Sequence, residues 1–378
     1  MKAEYAITIS KGISDIASKE VYNITGVYPE AGDNILYISL DIEKVYELIL
    51  WGRTIYKVIH ILDKGIFQDL DDLANKIEKI DLKLFGCNGS FALRTSRYGS
   101  HNFTSLDANK VVGASIYRSL VRAGYNVNVD LNNPDVEYVL RIINDEYLFG
   151  INIVGESLHI RRYRVYNHPA SIKTSLAAAL IYISGYKGEI FIDPMAGGGT
   201  IPIEAALIKH RIAPGLYREN HSLIKIPYYD TELYLRKREE AEGRRIDKMF
   251  GEPIIYNDIS PRYMRGAMRN AESAGVDRYI TFLSYDAREL SEYISGLDGG
   301  IAVFNPPYGI RMTRKAVIYD LYRDVISELK LLGIKRIVAI TSEARIFKDA
   351  LEENDFRIGC RYVVLHGKLT THIICGEI

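Results

Sequence analysis

Short, continuously apolar runs recur through the second half of the chain: EIFID (189–193), IIYND (254–258), YITFL (279–283), GIAVF (300–304) and KRIVAIT (335–341). Helix-patterned segments separate most of them. Runs that are apolar at successive positions, rather than at every second one, predict strands buried on both faces of a mostly parallel sheet. SIKTSLAAALIYISG predicts a leading helix, and RYVVLH and THIICGE flank HGKLTT as a hairpin that adds a last antiparallel strand. Residues 209–250 break this pattern. They are polar, tyrosine-rich and partly helical, and are expected as an insertion above the carboxyl ends of the strands.

The first half alternates on a smaller scale. Tyr5–Ile9 and Ile35–Ser39 predict strands, Ile13–Asn23 a helix, and DIEKVYELILWGR a second helix with Val45, Leu48 and Ile49 on one face. Trp51 is expected in a core or domain contact. Further on, Ser90–Thr95 and Asn126–Leu131 predict strands around a helix with Ala108, Val112, Ile116 and Leu120 on its apolar face, capped by Ser105 or Asp107. Tyr138–Ile143 and Tyr147–Val154 predict two strands joined by a turn at Asn144-Asp145-Glu146. The expected division is therefore α/β throughout, with units at 1–60, 61–165 and 166–378.

Composition narrows the class. The 378 residues are 47% hydrophobic, enough for sizeable cores, and no apolar run reaches membrane-spanning length. The start MKAEYAITISKG lacks the basic-then-apolar pattern of a secretory signal, so a cytosolic protein is expected. Cys87, Cys360 and Cys375 suggest neither a disulfide framework nor a zinc site, and the eight histidines show no ligand spacing, so no metal is expected. The 48 basic and 48 acidic residues cancel, which excludes an overall cationic field but not a local patch. Arg161, Arg162, Arg164 and Lys173 follow Glu156 with no acid between them, and Arg94 and Arg97 lie on the same unit. They form either an ordinary solvated surface or a phosphate-contacting stripe.

Chemistry is expected where the parallel strands end. After Asp193, PMAGGGT carries Gly197, Gly198 and Gly199, which permit a tight turn and close approach of a ligand. The start of the next helix then offers free N–H groups to an anion. Asp258 at the second strand tip can accept from a ribose diol, and Asp286 near the third from an exocyclic adenine amine; alone, either could simply cap a helix. The fourth tip is FNPPYG. Neither Pro306 nor Pro307 can continue a sheet ladder, and each restricts the residue before it to extended geometry. The stiff loop presents the Asn305 amide, a free Pro306 carbonyl and the Tyr308 ring, a clamp for a planar group bearing an amine.

DPMAGGGTIPIEAA together with NPPYGIR resembles the class I S-adenosylmethionine-dependent methyltransferases that modify guanine amines in RNA. PDVEYVLRIINDEYLFGINIVGESLHIRRYR is similar to the THUMP RNA-binding domain of that group, the first 60 residues to its ferredoxin-like domain, and APGL at Ala213–Leu216 fits the same enzymes. The resemblance covers nearly the whole chain. It implies a seven-stranded Rossmann-like sheet with the last strand antiparallel, and S-adenosylmethionine held by Asp193, Met195, Ala196, Gly197, Gly199, Thr200, Asp258, Asp286 and Asn305. Asn305, Pro306 and Tyr308 would be catalytic. The substrate would meet Pro307, Tyr308, Arg311 and the basic residues named above. Many relatives carry Cys-Gly-Ser-Gly where Ala196 to Gly199 stand here, so a hydroxyl contact to the cofactor is lost. His168 is expected to be structural or phosphate-contacting. The combination most resembles the tRNA guanine-N2 methyltransferases acting at position 6 of the acceptor stem. Another tRNA guanine or ribosomal RNA is the alternative substrate. An inactive RNA-binding protein is the alternative class, against which the intact Asn305–Tyr308 loop and Asp193 argue.

Overall fold

The computed structural model describes residues 2–218, 221–308, 315–367 and 369–378. Its first half runs β1 (Ala3–Ile9), α1 (Ser14–Thr25), β2 (Glu30–Ala31), β3 (Ile35–Leu40), α2 (Ile42–Trp51), β4 (Ile55–Ile66), α3 (Leu70–Glu78), β5 (Gly89–Tyr98), α4 (Ser105–Arg122), β6 (Val127–Val129), β7 (Val136–Ile143) and β8 (Glu146–Asn152). These eight strands form one sheet in the order β2-β3-β1-β4-β8-β7-β5-β6. The expected boundary at 60/61 falls inside β4, which pairs antiparallel with β1 on one side and with β8 on the other. Periodicity did not predict β4, because its second half outruns the core and ends exposed, so its pattern is mixed. α3 was not predicted either. The helix at 105 is capped by Thr104, not by Ser105 or Asp107. The Thr104 side chain accepts from the Asp107 N–H, and Asp107 returns the bond to the Thr104 N–H, a reciprocal capping box. Asn144 turns the β7–β8 hairpin at φ 55°, a left-handed conformation that asparagine tolerates.

The second half continues with α5 (Thr174–Ser184), β9 (Phe191–Asp193), α6 (Thr200–Lys209), α7 (Thr231–Gly243), β10 (Ile254–Asn257), α8 (Pro261–Ser273), β11 (Ile280–Leu283), β12 (Ile301–Phe304), α9 (Lys315–Leu331), β13 (Arg336–Thr341), α10 (Ala344–Glu353), β14 (Arg357–His366) and β15 (Leu369–Glu377). The sheet order is β11-β10-β9-β12-β13-β15-β14, parallel except for β15, which is antiparallel to both neighbours. Alternate residues of the central strands feed two cores. Phe191, Tyr256 and Val303 meet α5, α6 and α8 on one face. Ile192, Phe304 and Ala339 meet α9 and α10 on the other. This double burial is the physical cause of the continuously apolar runs. Among the described residues no helix is long and apolar enough to cross a membrane.

Two sequence expectations are overturned here. Segment 209–250 does not cover the strand ends. Leu223, Ile226, Tyr229, Tyr234 and Ala241 join the core of the first half, and the Tyr229 hydroxyl lies 2.8 Å from His60 Nδ1. The segment straps the two halves together, and within it Arg244 stacks over Trp51 at 5.6 Å, so Trp51 is a contact of that strap. Cys360 and Cys375 do form a disulfide. They face each other across β14 and β15 with Cα atoms 5.0 Å apart, a register that a separation of 15 residues does not reveal. The halves also touch directly: at Gly12, φ is +89° and a Cβ would overlap the Val363 carbonyl oxygen of β14.

Candidate active site

Asp193, Asp258, Asp286 and Asn305 stand at or just beyond the carboxyl ends of β9, β10, β11 and β12, on one edge of the sheet. The parallel ladder brings them together. What holds the edge rigid is a set of polar residues that motif reading did not single out. Asn257 is fully buried. Its amide donates to the Pro194 and Tyr285 carbonyls, both at 3.0 Å, and accepts from the Tyr285 N–H at 3.0 Å, so it ties three strand tips. Asn270 on α8 donates to Gly198 O at 3.0 Å and to Tyr166 O at 3.1 Å. The Tyr256 hydroxyl donates to Gly197 O at 2.8 Å. Asn257→Ala should leave several buried backbone groups unpaired and cost about 2 kcal/mol or more, read as a lowered urea midpoint.

The glycine turn is a cradle that side chains would fill. Gly197 has φ +52°, and a Cβ there would lie 3.1 Å from the His168 ring; Gly198 is similarly close to His168. Gly199 caps α6 at φ +77°. The Asp258 carboxylate accepts from the Gly197 N–H and from the Ser260 N–H, both at 2.9 Å, with lone pairs remaining for a ligand. Asp193 accepts from the Met195 N–H at 3.1 Å. Burial pushes its carboxyl well above the usual range, with nearby Asp258 adding to the rise. Asp286 is held by Arg288 at 2.6 Å, and that hydrogen bond pulls its carboxyl below the usual range. An incoming amine would share or displace this arginine. His168 packs edge-on against Tyr263 at 4.3 Å; its Nε2 is buried and has no partner among the described residues. Burial, chiefly, lowers its pKa. The turn, the two acids and this orphaned nitrogen fit a bound nucleoside with an anionic end.

The fourth tip is braced from behind. Tyr322 on α9 donates to Pro307 O at 3.0 Å and lies 3.0 Å from Thr341 Oγ1 on β13. Asn305 Nδ2 donates to Ala170 O at 3.4 Å, and the Tyr308 hydroxyl donates to Asn305 Oδ1. Tyr308 is thus folded onto the asparagine rather than splayed outward. Residues 166–171 therefore cross the whole edge, from Asn270 past the glycine turn to Asn305. This linker was visible in the sequence only as the tail of a basic stretch. Arg311 lies outside the described residues.

The basic residues divide. Arg161 is not on a surface: it is 5% exposed, pairs with Glu204 of α6 at 3.1 Å and donates to Leu158 O and Arg53 O. Arg162 is exposed and paired with Glu156 at 3.2 Å. Arg164 is partly buried, and Lys173 covers the Tyr56 ring at 5.3 Å. Arg94 pairs with Glu137 at 3.2 Å, while Arg97 contacts His101 at 2.8 Å. Three positions apart on β5, Arg94 and Arg97 project from opposite faces of the sheet and cannot share a stripe. A groove of about 730 Å³ on the first-half sheet gathers other candidates, among them Lys2, Lys64, Arg141, Tyr28 and Tyr37. No charge run marks these in sequence, since they come from separate strands and loops of the first half.

The RMKL-like methyltransferase domain of the UPF0020 family matches residues 161–371, and the THUMP domain matches residues 67–152. The chain is 35% identical to the tRNA (guanine(6)-N2)-methyltransferase of Methanocaldococcus jannaschii, over 98% of both proteins. It is 27% identical to ribosomal RNA large subunit methyltransferase K/L of Pseudomonas entomophila, over 99% of this chain but only 52% of that one. The crystal structure of a possible methylase from Clostridium difficile superposes with a TM-score of 0.88 at 25% identity, covering 100% of this chain and 98% of the other.

Proposed function

Because the chain belongs to the RMKL-like methyltransferases that carry a THUMP domain, we propose that it methylates the exocyclic N2 amine of a guanosine in tRNA, at position 6 of the acceptor stem, as a cytosolic enzyme. The observation that carries the reading is the Asn305–Tyr308 loop beside a glycine turn and two acids on one sheet edge. The full-length match to a position-6 enzyme supports the choice of tRNA, whereas the ribosomal RNA relative is about twice as long.

S-adenosylmethionine, when bound, supplies an electrophilic methyl group on sulfur. Asp193, Met195, Ala196, Gly197, Gly199 and Thr200 line its methionine end, where backbone N–H groups at the start of α6 suit a carboxylate. Asp258 takes the ribose hydroxyls and Asp286 the adenine amine. A guanine amine is a poor nucleophile, because its lone pair delocalises into the ring. Asn305 Oδ1 and the Pro306 carbonyl accept its two hydrogens, aim the nitrogen and favour the positive charge that develops on it. Tyr308 stacks on the flipped base, contributing roughly 1–3 kcal/mol. The proton leaves to solvent after transfer. RNA is gripped by the first half, through Arg94, Arg162 and the tyrosine-lined groove, where Lys2 and Arg141 face phosphate and Lys64 is paired with Glu4.

Methyl transfer to total tRNA, followed by nucleoside analysis and mapping, tests the reading. N2-methylguanosine at position 6 is expected; methylation of a ribosomal fragment in preference to tRNA would overturn it. Asp258→Ala is expected to weaken S-adenosylmethionine binding about tenfold or more in calorimetry, since a charged acceptor is lost and the Gly197 turn loses its anchor. RNA affinity should stay the same. Equal cofactor affinity would remove Asp258 from the site.

A further inference from the structure

The Tyr308 hydroxyl donates to Asn305 Oδ1, the atom assigned above to the amine of the target base. The clamp is therefore capped by its own tyrosine. A guanine amine can use Asn305 only if that hydroxyl leaves. Burial pushes the Tyr308 phenol well above its ordinary pKa, so it leaves as a neutral donor that needs another acceptor. One stands in place. His366, at the end of β14, has Nδ1 3.3 Å from the same phenol oxygen, with the two rings edge-on at 6.2 Å.

Resting on the guanine-amine reading, we propose that His366 is a positioning residue for Tyr308: its Nδ1 takes over the phenol hydrogen bond when the target base enters, which frees Asn305 Oδ1 for the amine and holds the tyrosine ring beside the base. The geometry requires little. The hydroxyl changes partner between two acceptors already around it, and no covalent bond forms or breaks. A neutral imidazole has one N–H and one acceptor nitrogen. Burial lowers the His366 pKa, Lys173 lowers it further, and a hydrogen bond to the Ser171 backbone opposes them. The ring is thus held as a neutral acceptor toward Tyr308. His366 reaches the site because β14 is an edge strand whose end lies beside the Asn305 loop, and nothing in the NPPY motif itself announces it.

The test is a double-substitution cycle in single-turnover methyl transfer with both substrates saturating. His366→Ala should slow the parent about tenfold, the scale of one hydrogen bond to a buried group. In a Tyr308→Phe background there is no hydroxyl to relocate, so the same substitution should change the rate by less than about twofold. His366→Asn places an amide oxygen near the Nδ1 position and should recover most of the loss. Filter binding of tRNA without cofactor should be unchanged by His366→Ala. An equal effect of His366→Ala with and without the Tyr308 hydroxyl would show that the histidine only supports the hairpin, and would overturn the inference. So would a parent-like rate in the single variant. A parent that transfers no methyl to a tRNA guanine overturns the functional reading and this inference with it, whereas an active parent with no coupling overturns the inference alone.

Discussion

Asn305→Ala is expected to reduce single-turnover methyl transfer by about a hundredfold or more, the scale seen when one group that stabilises a transition state is removed. The side chain sits at a strand tip and donates only a long bond to Ala170 O at 3.4 Å, so its loss should not unfold the loop. That loop is held independently, by the two prolines and by Tyr322 on Pro307 O. What disappears is one of two acceptors for the amine, and with it the aim of the nucleophile. Cofactor and tRNA affinities should change far less. Asn305→Asp keeps an acceptor but adds charge, and should retain part of the activity. An alanine variant that transfers methyl at the parent rate would reduce Asn305 to a turn former.

Glu204→Ala is expected to cost about 3–5 kcal/mol of stability, because it leaves buried cations without their counter-charge. Glu204 is fully buried on α6. It accepts from Arg161 Nε at 3.1 Å and from the Tyr163 hydroxyl at 2.9 Å, and Arg53 Nη1 lies 3.6 Å away. Arg53 in turn donates to Ile212 O at 2.6 Å and Leu207 O at 3.3 Å, and its backbone N–H donates to Glu20 at 2.9 Å. The network joins α1, the start of β4, the 158–163 linker and the helix that follows the glycine turn. Its loss should lower the urea midpoint and loosen the joint between the first-half sheet and the methyltransferase sheet. Arg161→Glu should act in the same way, through folding, and not as a phosphate contact. A cost below about 1 kcal/mol, the scale of a surface ion pair, would mean the network is solvated in solution.

The clustering of candidate groups on one sheet edge was legible because it is written locally. Each strand is followed within a few residues by its candidate group: Asp193 and the glycines, Asp258, Asp286, then Asn305-Pro306-Pro307-Tyr308. A parallel sheet places all its strand ends on one side, so finding the strands also gathered these candidates on one edge. The hairpin and the antiparallel last strand were readable for the same reason, from apolar runs flanking a turn. Caps were harder. Thr104 was missed by one residue, since Thr, Ser and Asp all lie within the four positions 104–107.

What the amino-acid order by itself determined was therefore the class of fold, the four strand-tip groups and the stiff loop among them. The tertiary structure alone decided the partners of long-range polar groups. Arg161 looks in sequence like any member of a basic run, yet it is buried against Glu204, 43 residues away. Cys360 meets Cys375 only through the register of β14 and β15. Segment 209–250 turns toward the first half because its tyrosines find a core there, not because its composition says where to go. Likewise His168 over the glycine turn, and His366 beside Tyr308, 58 residues away, carry no local signal. Periodicity reports which side of an element is buried. It does not report what that side is buried against, and charge pairing, strand register and hydrogen-bond partners all depend on the second question.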